Sequence, residues 1–293
     1  MQRLPFVDTH IHFWDQQHPK LSYDWLHPDA IHPILGNIDG IKSTRYEAEH
    51  WLAEARFAEV AATVHVQAAV GTDDPVEETR WLTQMHERTG QPNGIVAHAD
   101  LTKANVRDVL DAHLESPLMR GVRDFAIEPI LIAGTVEPGL ERGLRTLADL
   151  GLVLDLDCQW PSMAAAADLA RRHDELVVVL EHIGYPRSND PDYFSSWRQG
   201  IEALAAAPNT ICKISGLGMN QPNWTPVSIR PWVSHCIEAF TPQRCVFGSN
   251  WPVDRLYSSY DAILDAYRGC VDNYSPDEQA QMLAGNAQRI FRV

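Results

Sequence analysis

The chain has 293 residues, of which 45% are hydrophobic and 22% charged, the composition of an ordinary soluble globular protein. Its formal net charge of −15 argues against nucleic acid and anionic membrane surfaces as partners, because both are bound through basic patches. No apolar run approaches the roughly 18 residues that span a bilayer, and the N-terminus lacks a secretory leader. We therefore expect a cytoplasmic protein that acts on a small molecule.

The five cysteines support the same compartment. Their number is odd, they are widely spaced and no Cys-x-x-Cys pair occurs; they are Cys158, Cys212, Cys236, Cys245 and Cys270. This pattern predicts reduced thiols rather than a disulfide framework.

The first predicted element is a buried strand that carries two histidines near its end. The sequence Phe-Val-Asp-Thr-His-Ile-His-Phe covers residues 6–13. Alternate residues of a strand point to the same face, so His10 and His12 are expected side by side. Two such imidazoles are suited to bind one borderline metal ion such as zinc, although a single His-x-His is more often unrelated to metal.

A long segment without clear periodicity follows, from Phe13 to about Thr44. It is rich in aromatic, histidine and proline residues, with Trp14 near its start. Loops of this length inside a compact domain are usually functional. We expect this one either to cover a bound substrate or to shield one end of the fold.

From residue 47 onward, helical and apolar strand patterns alternate. Pro75 and Gly90 delimit one helix, and Ser275-Pro276-Asp277-Glu278 forms a capping box for the last. With the first strand, eight strands are predicted, at residues 6–13, 61–68, 94–99, 121–125, 152–158, 176–182, 210–215 and 245–250. Alternation of this kind predicts a parallel sheet, and eight units in this length favour a single (β/α)₈ TIM barrel over residues 1–293 with a long first βα loop.

Polar residues follow each predicted strand, where a barrel of this type carries its active site. They are His10 and His12, His65 and Gln67, His98 and Asp100, Arg123 and Asp124, Asp157 and Gln159, Glu181 and His182, Lys213 and Ser215, and Asn250 with Asp254. Eight polar strand ends on otherwise apolar strands indicate a polar site at one mouth of the barrel.

Several of these residues have a structural alternative. Structural hydrogen bonds explain His65 and His98 somewhat better than direct catalysis does. Arg123 suits a substrate carboxylate or carbonyl, but an ion pair with Asp124 or Asp157 is the alternative. Lys213 is more typical of a salt bridge than of a nucleophile.

Four motifs together resemble the amidohydrolase superfamily, and within it the amidohydrolase family 2 group of TIM-barrel hydrolases. They are Val-Asp-Thr-His-Ile-His-Phe-Trp (7–14), Val-Val-Val-Leu-Glu-His-Ile-Gly-Tyr-Pro (177–186), Lys-Ile-Ser-Gly-Leu (213–217) and Phe-Gly-Ser-Asn-Trp-Pro-Val-Asp (247–254). The resemblance extends to Gly285–Phe291 and so covers nearly the whole chain. The group includes hydrolases of sugar lactones and of carboxylated lactones from aromatic degradation.

The resemblance implies a set of site residues. His10, His12 and His182 would be the metal-type histidines, and Arg123 would hold a substrate carboxylate or carbonyl. The usual eighth-strand aspartate, which activates water in the superfamily, is replaced here by Asn250, and a neutral amide cannot accept a proton. Asp254 could take over as base, or a histidine could do so while Asn250 positions the substrate.

The sequence thus predicts a hydrolase that opens a small lactone, either a sugar lactone or a carboxylated lactone of an aromatic pathway, by attack of water on the ester carbonyl. We predict His182, Asp254 and Arg123 as catalytic residues, and His65, His98, Asn250, Trp14 and Gln159 as substrate-binding residues. One divalent metal ion, with zinc as first candidate, is the expected cofactor, and a metal-free mechanism is the alternative. The chain is also compatible with a homo-oligomer.

Two other functions remain open from the sequence. One is decarboxylation of a small aromatic or enolic acid, which relatives in the superfamily perform with similar histidines. The other, suggested by Asn250, is a catalytically degenerate binding protein.

Overall fold

The computed structural model describes residues 4–32 and 35–293. Eight parallel strands form one sheet in chain order, as the sequence predicted. The strands are β1 Phe6–Ile11, β2 Val60–Val66, β3 Gly94–His98, β4 Met119–Arg123, β5 Val153–Leu156, β6 Val178–Leu180, β7 Thr210–Ile214 and β8 Cys245–Phe247. The single (β/α)₈ barrel is therefore confirmed.

The barrel is closed between its first and last strands by backbone hydrogen bonds just beyond β8. The Asn250 amide donates to the His10 carbonyl at 2.8 Å, and the His12 amide donates to the Trp251 carbonyl at 2.8 Å. The Thr9 hydroxyl adds a bond to the Phe247 carbonyl at 2.8 Å. These contacts bring the His-x-His strand against the segment that carries Asn250.

Helices surround the sheet. They are α1 Ala48–Glu54, α2 Val76–Thr89, α3 Val106–His113, α4 Ile127–Ala133, α5 Pro138–Asp149, α6 Met163–Arg172, α7 Pro191–Ala205, α8 Leu217–Asn220, α9 Pro226–Phe240, α10 Tyr260–Cys270, α11 Pro276–Ala280 and α12 Asn286–Phe291, with a π-helical turn at Gln281–Gly285. The predicted end of α2 at Gly90 is confirmed by its left-handed backbone, and the predicted capping box at Ser275 is formed with Glu278.

Alternation along the strands decides which residues face the barrel interior. Small β-branched residues such as Val153, Val179, Ile211 and Val246 pack together with α12 in one cluster at the amino end of the barrel. Positions two and four residues further along the same strands carry the polar groups of the site. The apolar floor thus gives way to a polar interior at the carboxyl end.

Strand β1 breaks this alternation. Val7 belongs to the interior cluster, yet His10, three residues later, also lies inside. The pairing of β1 with β2 is irregular between Asp8 and Ile11, which allows the strand to turn its side chains. Asp8, next to the inward Val7, points away from the interior and accepts hydrogen bonds from Ser249 Oγ and Tyr260 Oη at 2.6 and 2.8 Å.

The long first loop is fixed at both ends. Trp14–Asp15 pairs antiparallel with Arg45–Tyr46, and the buried Trp14 indole donates to the Ser43 carbonyl at 2.8 Å. Between these anchors, the 3₁₀ turn Asp24–Leu26 places Trp25 over the barrel mouth, where its indole donates to the Ala68 carbonyl at 2.8 Å.

Candidate active site

A cavity of about 530 Å³ opens at the carboxyl end of the barrel, where the sequence predicted the site. Its base is polar and its rim is largely apolar. It is lined by His12, Asp24, Trp25, Ala30, Ile31, His32, Leu35, Gln67, Ala68, Val70, Arg123, Phe125, Asp157, His182, Tyr185, Met219, Asn250 and Val253.

Three histidines converge at the base of this cavity. His10 Nε2 and His12 Nε2 are 3.1 Å apart, and the ring centroids of His10 and His182 are 4.3 Å apart. His12 Nδ1 lies 2.8 Å from the Val66 carbonyl, and His182 Nδ1 lies 2.8 Å from Ser215 Oγ. Because a carbonyl can only accept, His12 carries its proton on Nδ1 and keeps the Nε2 lone pair for a ligand.

These imidazoles are neutral in the folded protein. Burial, followed by the positive charges of neighbouring groups, lowers the pKa of His10 and of His12 well below the usual value. Burial likewise lowers the pKa of His182 to about 3, against the opposing effect of Glu181. Neutral imidazole is the form that binds a metal ion or accepts a proton.

The spacing of His10 and His12 fits two ligands of one divalent metal ion on their Nε2 side. Two nitrogens bound to one tetrahedral zinc would lie about 3.3 Å apart, close to the 3.1 Å between His10 and His12. Among the described residues, the group of three possible metal ligands whose atoms all lie within 4.8 Å of one another is His10 with Asp155 and Glu181. The Lys213 ammonium already contacts Asp155 and lies 3.9 Å from Glu181, so a cation fills that place.

Beneath the histidines lies a buried cluster of two acids and two bases. Arg123 Nη1 is 3.2 Å from Glu181 Oε2, which also accepts the Tyr185 hydroxyl at 3.0 Å, and Lys213 pairs with Asp155. Arg123 and Lys213 outweigh the effect of burial and lower the pKa of Glu181 to about 2. Burial and the negative charge of Glu181 raise the pKa of Asp155 to about 7.

Arg123 lies at the cavity as predicted, but its hydrogen-bonding capacity is largely used within the protein. Nη1 contacts both carboxylate oxygens of Glu181, and Nη2 donates to the carbonyl and side-chain oxygens of Gln67. The sequence named Asp124 and Asp157 as alternative ion-pair partners; the structure places Glu181 there instead. The Asp124 carboxylate accepts the Leu101 and Ala126 amides. Lys213 is a salt-bridge partner, as predicted.

Asp157 is a carboxyl group of the cavity that the sequence predictions named only as a strand-end residue and as an alternative ion-pair partner of Arg123. It is half-buried and lines the cavity, and it forms neither a hydrogen bond nor an ion pair with the residues that the structure describes. Burial, and then the negative charges of Glu181 and Glu128, raise its pKa to about 7.

Asn250 and Asp254 are adjacent at the end of β8. Asn250 lines the cavity and adopts a left-handed backbone, which asparagine tolerates well. Its Nδ2 donates to Asp254 Oδ1 at 3.4 Å, so its side-chain oxygen is not used in that contact. Asp254 is fully buried behind Asn250, and burial raises its pKa to about 8. The structure therefore places Asp254 beneath the cavity lining, in contact with Asn250.

Four predicted substrate-binding residues lie outside the cavity lining. His65 points outward to α2, where its Nε2 is 3.1 Å from Glu78, because Val64 and Val66 take the inward positions of β2. His98 Nδ1 contacts the Arg123 carbonyl at 3.1 Å. Trp14 is buried under the first loop, and Gln159 pairs with Glu128 and Arg187. Asn250 is the predicted substrate-binding residue that reaches the cavity.

Glu181, Tyr185 and Gln67 surround the predicted residues without having been assigned a role from sequence. The parity of β6 offered a signal for Glu181, since it stands two positions after Val179 on the interior face. Gln67 was among the polar residues that the sequence placed after the strands, whereas Tyr185 lies five residues beyond β6, where alternation has stopped.

Two further expectations concern the whole chain. The five cysteines are free and buried, in agreement with the predicted absence of a disulfide framework. Within the described residues, no helix combines the length and apolar character needed to cross a bilayer.

Comparison with known proteins gives a consistent picture. The profile of the amidohydrolase family matches residues 7–293. An uncharacterized protein of Sinorhizobium fredii is 35% identical over the full length of both chains, and an L-fucono-1,5-lactonase of Burkholderia ambifaria is 28% identical over 98% of this chain and 95% of its own. The crystal structure of an amidohydrolase from Burkholderia multivorans with bound zinc has a TM-score of 0.82 at 23% identity, covering 98% of this chain and 99% of that one.

Proposed function

Because the chain belongs to the amidohydrolase family, we propose that it hydrolyses the ester bond of a small, uncharged, hydroxylated lactone. The observation that carries this proposal is the group of three neutral histidines at the base of a cavity of about 530 Å³. A cavity of that size suits a small organic ring. The relative named L-fucono-1,5-lactonase, at 28% identity over nearly the whole chain, supports the reaction class.

His10, His12 and His182 would hold one divalent metal ion, for which we propose zinc. When bound, such an ion polarises a carbonyl and lowers the pKa of water, which is the chemistry that ester hydrolysis requires. The protein's own contribution is orientation: the Val66 carbonyl and Ser215 hydroxyl fix two of the rings.

The charges of the cavity favour an uncharged substrate over a carboxylated one. Arg123 is neutralised by Glu181 and its Nη groups are used, so it offers little to a substrate carboxylate. The next cation, Arg187, is exposed and donates to Gln159. Asp24 and Asp157 add acidic groups to the lining. A carboxylate would meet no unpaired cation among the described residues that line the cavity, whereas hydroxyl groups find the amides of Gln67 and Asn250.

Residues of the first loop complete the cavity. Trp25, Ile31 and Leu35 form an apolar side of the wall, and the sequence had predicted that this segment covers a substrate or shields the barrel. We propose that it does the former, because apolar walls that exclude water strengthen the electrostatic effect of the polar base.

The test is a panel of aldonolactones and carboxylated aromatic lactones, with acid release followed in a pH-stat before and after chelation and zinc addition. We expect turnover of uncharged lactones, weak or no turnover of carboxylated ones, and loss of activity in His182→Ala. His27→Ala, at an exposed histidine outside the cavity, is the control and should keep full activity. Absence of lactone turnover, or release of CO₂ from aromatic acids instead, would overturn the proposal and favour decarboxylation.

A further inference from the structure

Opening a lactone requires two proton movements, and the histidine group accounts for the first alone. Water loses a proton as its oxygen bonds to the carbonyl carbon. The ring oxygen gains a proton as its bond to that carbon breaks. An alkoxide is a poor leaving group, so a positioned acid at the ring oxygen lowers the barrier.

Asp157 stands where such an acid is needed. Asp157 continues the alternation of Val153 and Asp155 on β5, so its side chain is directed to the same inward face. It lies at the cavity end of the strand. The histidines come from β1 and β6. The groups that act on the water would therefore lie on other strands than Asp157, which would protonate the ring oxygen. A lactone whose carbonyl faces the histidines has its ring oxygen within reach of another wall of the same cavity.

The other acids near the cavity are already committed. Glu181 is held by Arg123 and Tyr185, Asp155 by Lys213, and Asp24 accepts the Ser22 hydroxyl at 3.2 Å. Asp157 alone among these four has no hydrogen-bond partner in the part of the chain that the structure describes. A half-buried carboxyl group without a protein partner, directed into a cavity, is available to a ligand.

We propose that Asp157 is a catalytic residue, the general acid that protonates the leaving ring oxygen of the lactone. The proposal rests on the lactonase function proposed above. In the step, the water oxygen bonds to the carbonyl carbon and the carbon–ring-oxygen bond breaks. The Asp157 proton passes to the ring oxygen, the water's proton passes to solvent by way of the histidine side, and Asp157 regains a proton from solvent.

The electrostatic surroundings allow this group to hold and release a proton near neutral pH. Burial is the largest effect on its pKa, which lies at about 7. The charges and titratable groups that act on it come from α4, β4 and the segments after β5 and β6. Glu181 and Glu128 raise the pKa and Arg123 and Arg187 lower it, while Tyr185 and Cys158 are neutral neighbours whose own pKa values Asp157 raises.

The decisive experiment compares Asp157→Asn with wild type on two lactones that differ in leaving group. An aldonolactone leaves as an alkoxide, and dihydrocoumarin leaves as a phenolate, which needs little protonation. We expect kcat on the aldonolactone to fall about 100-fold or more, and kcat on dihydrocoumarin to change less than about fivefold. Equal losses on both lactones, or no loss on either, would overturn the assignment.

The pH profile supplies a second readout. A general acid must be protonated, so wild-type kcat should fall as pH rises through about 7, and Asp157→Asn should lack that limb. Glu128→Gln removes a negative charge that raises the pKa and should move the limb to lower pH; Arg187→Gln should move it to higher pH. A limb that stays in place in both variants would contradict the assignment.

The two proposals fail differently. If wild type turns over no lactone, the function is wrong and the role of Asp157 falls with it. If wild type is active and Asp157→Asn behaves like wild type on both lactones, the role of Asp157 alone is wrong.

Discussion

The ends of β5 and β8 each carry an acid with a raised pKa, yet the two acids are in different situations. Asp157 lines the cavity without a protein partner, whereas Asp254 lies behind Asn250 and accepts its amide. The pKa is raised to about 7 for Asp157 and to about 8 for Asp254, chiefly by burial in both cases.

The difference teaches that a perturbed pKa does not by itself identify a catalytic group. Burial raises the pKa of any carboxyl group, but only one that reaches the substrate can transfer a proton to it. The β5 and β6 ends provide charge and access to the cavity. The β8 end provides a neutral acid that orients an amide.

The largest effect is expected from the charge cluster on the β5 and β6 side. Glu181→Gln leaves the buried Arg123 guanidinium without its anion, which should lower the free energy of unfolding by about 3–5 kcal/mol. Urea unfolding at pH 7 measures it. Asp111→Asn, in the exposed pair with Arg107, is the control and should change little. If the free energy of unfolding falls equally little in both variants, the buried pair is not essential to the stability of the barrel.

The next largest effect is expected in kcat, where variants of the two acids can be compared directly. Asp157→Asn should lose about 100-fold or more on an aldonolactone, while Asp254→Asn should lose less than about tenfold, since Asp254 acts through Asn250. The sequence predicted Asp254 as a catalytic base, and this pair of variants tests that prediction. A larger loss in Asp254→Asn than in Asp157→Asn would restore it.

The third effect is on the pH dependence of stability. The folded-state pKa of Asp254 is raised to about 8, so the folded protein retains a proton that the unfolded chain releases near pH 4. Stability from this group is therefore full at low pH and is lost as pH rises from about 4 to about 8. Between pH 5 and 7 the loss is about 1.4 kcal/mol per pH unit. Urea unfolding across that range should show that the free energy of unfolding falls less steeply with pH in Asp254→Asn, by that amount. An unchanged dependence on pH would mean that Asp254 is solvated in the folded protein.

The smallest effect concerns metal affinity at the β8 end. Asn250→Asp adds a carboxylate to the wall that carries the histidines and should tighten zinc binding by about tenfold or more. Competition with a chromophoric chelator measures it without reference to turnover. Asn189→Asp makes the same charge change at an exposed position and serves as the control. Equal affinities in the two variants would separate Asn250 from the metal site.

The sequence was sufficient for the barrel and for the His10–His12 pair because both follow from periodicity, whereas His182 was assigned through the family resemblance. Alternating apolar and helical patterns predicted eight strands, and period-two spacing placed His10 beside His12. The sequence was less informative for side chains whose partners lie on other strands. That Glu181 uses up Arg123 depends on how β4 and β6 approach inside the barrel, and no spacing along the chain encodes that distance.

His65 illustrates the remaining difficulty. It stands near a strand end like the site residues, but Val64 and Val66 take the inward positions and turn His65 toward Glu78. Strand β1 shows the reverse, since an irregular pairing lets both Val7 and His10 face inward. The alternation of side chains predicts which residues face inward only where the strands pair regularly. One sequence does not reveal where the pairing is irregular.

The anchoring of the first loop has a consequence for engineering. Both its ends are held by the pairing of Trp14–Asp15 with Arg45–Tyr46. The stretch between those anchors forms one wall of the cavity, yet it donates none of the residues that would bind a metal ion or transfer a proton. It can therefore be treated as an exchangeable cassette. Transplanting or randomising the loop would alter which molecules enter while the reactive machinery beneath is left intact.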